Sequence, residues 1–498
     1  MRFNIKDIIL SFISAVAIVV SISGYNVEAA GNNLIPAGNK TTLNVLDISK
    51  MYGLKTGQKL YYSSTANKNY NDSNFTKSPQ PVSDIINKAL LANKGKNVNL
   101  FIPAGEYLLD KPLILQDGVT LSGVTGETKL IADDSFKTNL DDYIVSNAKG
   151  ANVSINGLYI EYRSHKNPVF SNYAVNPNGM EGIILKLKGV TSANIKNSSF
   201  IVKNNGIKTT CTPIWVRDGY KNIDISNCYI ENTSGGPVGG CLWFMCNNGL
   251  VGDTVNVYNN TLVKNGNDEA IAIWGDNKGV HRNYNIYNNT INYTKGVINT
   301  SCDKLITVFT GTDDIFNNIK ISSNRLNLSG TVRRIMMTEI NQGTFANVVF
   351  EKNTIKDSVG DSTGCTLLTV FEMWSKQGAG ESIDSVYNRG DVSFNYNSYT
   401  NNTTSGRRCF YSAETSAVKL KGNVINSNFV YGVFFEEATN AKIISSGNEY
   451  NYLKTGKTIF ATVRGANATA CFTGDKIGSK STEPGTSSKL TYTNCIIQ

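Results

Sequence analysis

Two carboxylates stand side by side at Asp268 and Glu269, ahead of the apolar run Ala270-Ile271-Ala272-Ile273-Trp274. Asp303-Lys304 follows 35 residues on, and Arg333-Arg334 a further 30. Close carboxylates can divide acid and base work, because like charge pushes one pKa up and holds a proton near neutral pH. Glycoside hydrolysis uses such a pair, ~5 Å apart for retention and ~6.5–9.5 Å for inversion. Lysine and arginine beside them could instead neutralise a uronate carboxylate and help remove its C5 proton, the chemistry of elimination or epimerisation. Asp268, Glu269, Asp303, Lys304 and Arg334 therefore form the candidate catalytic set, with Arg333 as a substrate contact. The competing reading of Asp268 and Glu269 is a pair that only stabilises a turn.

Groups thirty residues apart meet only if the chain coils with that period. From residue 151 onward a ten-residue pattern, x-Asn/Asp-apolar-x-apolar-x-x-Asn-x-apolar, recurs at spacings of about 25–44 residues, as in DTVNVYNNTL (253–262) and NNIKISSNRL (317–326). Such spacing marks a solenoid. The apolar residues alternate, as Val255 with Val257 and Ile319 with Ile321, which marks strands with one buried face. Seven successive copies keep asparagine at the eighth position: Asn260, Asn289, Asn324, Asn353, Asn397, Asn423 and Asn448. These are expected to occupy left-handed bends and to stack as an amide ladder at the ~4.8 Å strand spacing. A further strand precedes each copy, for example GCLWFMC (240–246), EAIAIWG (269–275) and TLLTVFEMW (366–374). Ser83 followed by DIINKALL reads as an N-capped amphipathic helix closing the apolar end of the stack.

All four tryptophans, Trp215, Trp243, Trp274 and Trp374, fall in that additional strand series. Flat aromatic faces stack on sugar rings, so Trp243 and Trp274, flanking the acidic pair, are expected substrate contacts; packing inside the coil is the rival expectation. His281 is added as a third contact. The strand ends supply an acidic column that includes Asp314, Glu339 and Glu372. It could bind sugar hydroxyls or Ca²⁺, or serve as a solvated rim. Glu339 and Glu372 are taken as substrate contacts. No Ser/His/Asp triad, phosphate-cradling glycine loop or zinc motif occurs, and no metal ligands or certain cofactor are assigned.

The segment FIPAGEYLLDKPLILQDGVTLSGVTGETKLI (101–131) resembles a segment found in many members of the pectin-lyase-like superfamily. That resemblance implies an all-β fold, a single-stranded right-handed parallel β-helix, here with an N-terminal capping helix. The stretch NGNDEAIAIWG (265–275) is similar to the Gly-Asp-Asp-Cys-Ile-Ala-Ile segment of polygalacturonase-type glycoside hydrolases, which implies a catalytic role for Asp268 and Glu269. Arg333-Arg334-Ile335 is similar to that family's Arg-Ile-Lys. Its Asn-Thr-Asp and Gly-His-Gly motifs have no counterpart at 240–244 and 302–304.

The chain has 498 residues and a formal charge of +9. Arg2, Lys6, the apolar run Ile8–Val20 and Val27-Glu28-Ala29 read as a signal peptide over 1–29. Residues 30–78 are expected to form a leader or outer strand layer, and 79–498 the β-helix domain. These features imply a secreted, extracellular protein with a polysaccharide partner, an acidic one suiting the charge, without a membrane anchor and without nucleic acid. Of nine cysteines, Cys471 and Cys495 are the expected disulfide. Two functions remain open: a glycoside hydrolase or polyuronate lyase, and a non-catalytic glycan-binding or adhesin-like surface protein.

Overall fold

The structure, a computed structural model, describes residues 44–53, 59–61, 75–77, 82–109, 111–133, 136, 143–163, 183–202, 212–233, 239–266, 268–294, 302–359, 369–376, 390–401, 408–427, 434–436, 440–452, 460–463, 468–477 and 489–497. Three parallel ladders run the length of the stack, one strand from each per coil. The first contains Val251–Tyr258, Val280–Tyr287, Ile315–Ser322 and Thr344–Glu351. The second contains Thr261–Lys264, Thr290–Tyr293, Arg325–Leu328 and Thr354–Asp357. The third contains Leu242–Cys246, Ile271–Gly275, Cys302–Thr310, Val332–Asn341 and Thr369–Lys376. Register joins each strand to its equivalent one coil on, as Val255 to Tyr284 to Ile319 to Val348. Those four are fully or almost fully buried. Alternation in sequence thus becomes a column of apolar side chains along the interior. The fold is a right-handed parallel β-helix.

The expected cap is present. Helix Val82–Ala92 buries Ile85, Ile86, Ala89 and Leu90. Asn87 fixes it to the next strand, donating to the Pro112 carbonyl at 2.8 Å and accepting from the Ile114 N–H at 3.0 Å. The helix begins at Val82, so Ser83 lies inside its first turn; the Ser83 hydroxyl accepts from the Lys111 N–H at 3.4 Å instead of capping.

Asn44–Asp47 pairs in parallel with Val98–Ile102, and Leu60 pairs with Tyr107. Strands before residue 79 therefore belong to the helix sheets, and the compact unit runs from Leu43 to Gln498. The expected signal peptide lies outside the described residues. Cys471 and Cys495 are both free thiols, and Cys495 Sγ donates to the Phe472 carbonyl at 3.4 Å. That corrects the expected disulfide.

The seven asparagines form an unbroken buried ladder. Each amide nitrogen donates to the next coil's Oδ1 at 2.8–3.0 Å, from Asn260 through Asn448. Each Oδ1 that follows also accepts the preceding asparagine's backbone N–H, as Asn324 Oδ1 does from Asn289. Asp475 ends the series, accepting from the Asn448 backbone and amide. The left-handed bend falls one residue earlier than expected, at Asn259, Asn288, Ser323, Lys352 and Tyr396, with φ of 54–56°. The ladder asparagines are selected by their amides, and the bend by its neighbour.

Candidate active site on the outer face of the third ladder

Glu269 lies two residues before Ile271, whose register partner is Ile306. It is therefore level with Lys304, one coil step away. Lys304 pairs with Arg334, Arg334 with Thr369 and Thr369 with Arg408. This column brings Glu269, Lys304 and Arg334 together on one face. Asp303 lies in the strand Cys302–Thr310, its side chain outside those described.

The acidic pair is held from both sides. The Gly239 N–H donates to Asp268 Oδ2 at 2.6 Å. A Cβ on Gly240 would collide with the Trp243 indole and come within 2.6 Å of the Glu269 carbonyl oxygen, so the coil above can approach only as glycine. Ala270 N–H donates to the Leu305 carbonyl at 2.8 Å, closing the contact with the coil below. Desolvation, with the Asp268 charge second, raises the Glu269 carboxyl to about 7 against the opposing pull of Lys304 and Lys264. A carboxyl in that range gives up a proton near neutral pH and can act as a general acid.

The cations are shared. Lys304 Nζ stands 3.9 Å from Glu339 Oε2. Arg334 Nε bonds Glu372 Oε1 at 2.7 Å, and the Thr369 hydroxyl donates to Glu372 Oε2 at 2.8 Å. Glu372 is buried. It anchors Arg334 and is not a sugar contact, which corrects one expectation. Glu339 and Glu372 also fall in different columns, opposite Trp374 and Met337. Asp314 of the same expected acidic column is enclosed, accepting from the Gly279 and Gly311 N–H groups, and burial raises it to about 6. Among the described residues no three metal-ligating side chains gather.

The aromatic residues separate by column. Trp215, Trp243 and Ala272 succeed one another in register and sit buried with Ile183 in a cluster apart from the main core. Trp243 is 3% exposed, which removes it as a stacking surface. Trp274 belongs to the neighbouring column and is 36% exposed. Its ring centroid lies 6.3 Å from Trp243 and 5.8 Å from Phe309, both edge to face. Phe309 is the surface aromatic that sequence reading missed; the register Trp274 to Phe309 reveals it. Arg333 is partly exposed.

His281 is also corrected. It is fully buried, its ring stacked 4.4 Å from Phe316. Its Nδ1 shares a proton with the Tyr284 hydroxyl at 3.0 Å, and burial lowers its pKa to about 3. The left-handed Asn283 reverses the alternation within Val280–Tyr287, so His281, Tyr284 and Ile286 all face inward.

Residues 79–309 match the family model described as rhamnogalacturonase A/epimerase, pectate lyase-like. Over those residues the match agrees with the three parallel ladders on a right-handed parallel β-helix of the pectin-lyase-like kind. Similar solved structures include a family 28 exopolygalacturonase of Yersinia enterocolitica, 12% identical over 91% of this chain and 78% of that one, TM-score 0.48. Others are the tailspike of Pseudomonas phage phi297 (10% identity, 87% and 80% coverage, TM-score 0.47) and the catalytic domain of a GH87 alpha-1,3-glucanase (13%, 93% and 71%, TM-score 0.42). No curated protein sequence matches the chain.

Proposed function

We propose that this protein is an exported polysaccharide-active enzyme that cleaves a glycosidic bond by acid–base hydrolysis on the outer face of its third ladder. The observation that carries the reading is the side-by-side placement of Asp268, held by the Gly239 N–H, and Glu269, level with Lys304, where desolvation raises the Glu269 carboxyl to about 7. In this reading Glu269 donates its proton to the leaving glycosidic oxygen. Asp268, its Oδ2 oriented by Gly239 N–H, serves as the charged partner that activates water or attacks the sugar. Trp274, five residues along from Glu269 and so ~15 Å away at the strand rise, with Phe309 at its edge, supplies a stacking surface for a more distant ring of the glycan.

Hydrolysis is favoured over elimination by the cations. Elimination would use a lysine or arginine on the uronate, but Arg334 is held by buried Glu372 and Lys304 lies between Glu269 and Glu339. The name of the matched family accords with action on a glycan. Export is supported by the basic start and the apolar run Ile8–Val20. No helix among the described residues is long and apolar enough to cross a membrane.

The test is a panel of neutral and acidic polysaccharides assayed for reducing-sugar release, followed by Glu269→Gln on the responsive substrate. Release should fall ~10²–10⁴-fold, the range of a lost general acid, with glycan affinity retained. Undiminished release by Glu269→Gln would remove the assigned acid. Ultraviolet absorbance of an unsaturated uronate among the products would replace hydrolysis with elimination. Binding without turnover across the panel would leave a glycan-binding surface protein.

A further inference from the structure

The inward column at the end of the second ladder changes character where the acid–base pair sits. In register order it reads Val202, Asn232, Lys264, Tyr293 and Leu328, one residue per coil. All five are at most 1% exposed. Val202 and Leu328 are apolar, as an interior column requires, but the three between them carry an amide, an ammonium and a phenol. A lysine is almost never enclosed without a partner, and an unmet polar group in a core is costly.

Each of the three directs its polar group at the chain entering the third ladder. Asn232 Nδ2 donates to the Gly239 and Gly240 carbonyls at 2.8 and 2.9 Å. Gly239 is the residue whose N–H holds Asp268 Oδ2, and Gly240 lies against the Glu269 carbonyl. Lys264 Nζ donates to the Asn265 carbonyl, and the Tyr293 hydroxyl to the Gly266 carbonyl at 2.9 Å. Asn265 and Gly266 lead into the acid–base pair. Asn265 is also tied to the coil above, its backbone N–H on the Asn232 carbonyl at 3.1 Å and its amide on the Thr233 carbonyl at 3.0 Å. Both the turn that carries the pair and the turn that abuts it are thus held from within.

The charged groups acting on Glu269 are Asp268 in its own segment, Lys304 from the coil below and Lys264 from the interior. Lys264 and Glu231 also act on the Cys241 thiol, which burial pushes up to about 12 and so keeps neutral. Lys264 is therefore the positive charge on the inner side of the pair, as Lys304 is on the outer.

We infer that Asn232, Lys264 and Tyr293 are positioning residues for the Asp268–Glu269 pair: from inside the coil they fix the two turns around it, and Lys264 sets a positive charge on its inner side. The inference deepens the proposed function and rests on that pair being the acid and base. All three side chains are enclosed, so they act through the pair and not on the glycan. Without the Lys264 charge Glu269 becomes harder to ionise, and its proton is kept to higher pH.

The test uses the full chain with Lys264→Gln, Lys264→Met, Tyr293→Phe and, as a control, Tyr399→Phe. Tyr399 is a buried tyrosine of the same ladder, three coils downstream of Tyr293, whose hydroxyl donates to Asp357 Oδ2 at 3.1 Å. Circular dichroism and melting establish that each variant is folded. Infrared difference spectra of each protein against its own Glu269→Gln counterpart follow the carboxyl across pH without substrate. Lys264→Gln removes the charge and keeps a donor for the Asn265 carbonyl; Lys264→Met removes both. In each the carboxyl midpoint should rise from about 7 by ~1 pH unit. The alkaline limb of reducing-sugar release should rise with it. Tyr293→Phe should lower kcat ~10–10²-fold with KM kept, the cost of a displaced reacting group, while Tyr399→Phe keeps kcat. A midpoint and limb unmoved in the Lys264 variants would overturn the inference, as would a kcat in Tyr293→Phe no lower than in Tyr399→Phe. If neither Lys264 variant folds, the tyrosine comparison decides. Glu269→Gln in the wild-type background separates the two claims. If turnover survives that change while Lys264→Gln still moves the carboxyl midpoint, the acid assignment fails alone. If turnover is lost and the Lys264 variants keep the wild-type midpoint, the positioning role fails alone.

Discussion

The asparagine corner and the outer face of the third ladder are built on the same coils and obey different rules. At the corner each coil repeats one side chain, each amide meets the next, and every bond lies between 2.6 and 3.0 Å from Asn260 to Asp475. On the outer face no residue type repeats down a column: Trp243 is followed by Ala272, Thr307, Met337 and Glu372. The indole nitrogens of Trp215 and Trp243 and the Thr307 hydroxyl there are buried without a partner. Identical stacking gives stability through satisfied polar groups. Varied stacking gives a surface where charges and aromatics can differ from coil to coil, which a substrate can read.

Breaking each region should have different consequences. The largest loss of stability is expected for Arg334→Met, which strands the buried Glu372 carboxylate. Removing one member of a buried ion pair costs ~3–5 kcal/mol. Denaturant unfolding should report that loss, and Arg334→Met with Glu372→Met should recover much of it. A loss below ~1 kcal/mol would mean that water, not Arg334, compensates Glu372.

Asn324→Ala should cost less, ~2–3 kcal/mol, from buried groups left unpaired. Those groups are the Asn289 backbone and amide donors, which lose their acceptor, and the Ile286 carbonyl, which loses its amide donor; Asn353 Oδ1 keeps only the residue-324 backbone N–H. Glycan turnover by the folded fraction should not change. A variant as stable as wild type would contradict the ladder's role.

The effect that is smallest at neutral pH is a pH slope. His281 is held neutral with a folded pKa of about 3, below its ordinary 6.5. The unfolded chain takes up that proton first, so stability is present above pH 6.5 and is lost as pH falls towards about 3. His281→Phe should flatten this acid limb and leave stability at neutral pH nearly unchanged. An identical acid limb in the variant would show that other groups set it.

The coil period, the inward alternation and the ladder asparagines were legible because each is repeated many times. The bend position was not, because Asn259-Asn260 and Asn288-Asn289 offer the same residue at both places; Ser323, Lys352, Tyr396, Gly422 and Gly447 separate bend from ladder in the later coils. The column of Glu269, Lys304 and Arg334 followed from spacing alone. Exposure did not. Trp243 and Trp274 both point away from the core, yet one is covered and the other open, a difference of two positions along the strand. His281 was misplaced because a single left-handed residue at Asn283 reverses the strand's alternation. The Glu372 role depended on finding Arg334 and Thr369 around it, contacts that linear spacing does not encode.

The claim on which the functional reading turns is that Glu269 keeps its proton near neutral pH because it is partly enclosed beside Asp268. Its folded pKa is raised, so the protonated form prevails below about 7 and is lost above it. Infrared difference spectra of wild type against Glu269→Gln, followed from acid to alkaline pH, read that protonated carboxyl directly. The expected result is a carboxyl signal that disappears with a midpoint near 7 and shifts to lower pH in Asp268→Asn. A carboxyl that ionises in the ordinary glutamate range, with the same midpoint in Asp268→Asn, would contradict it.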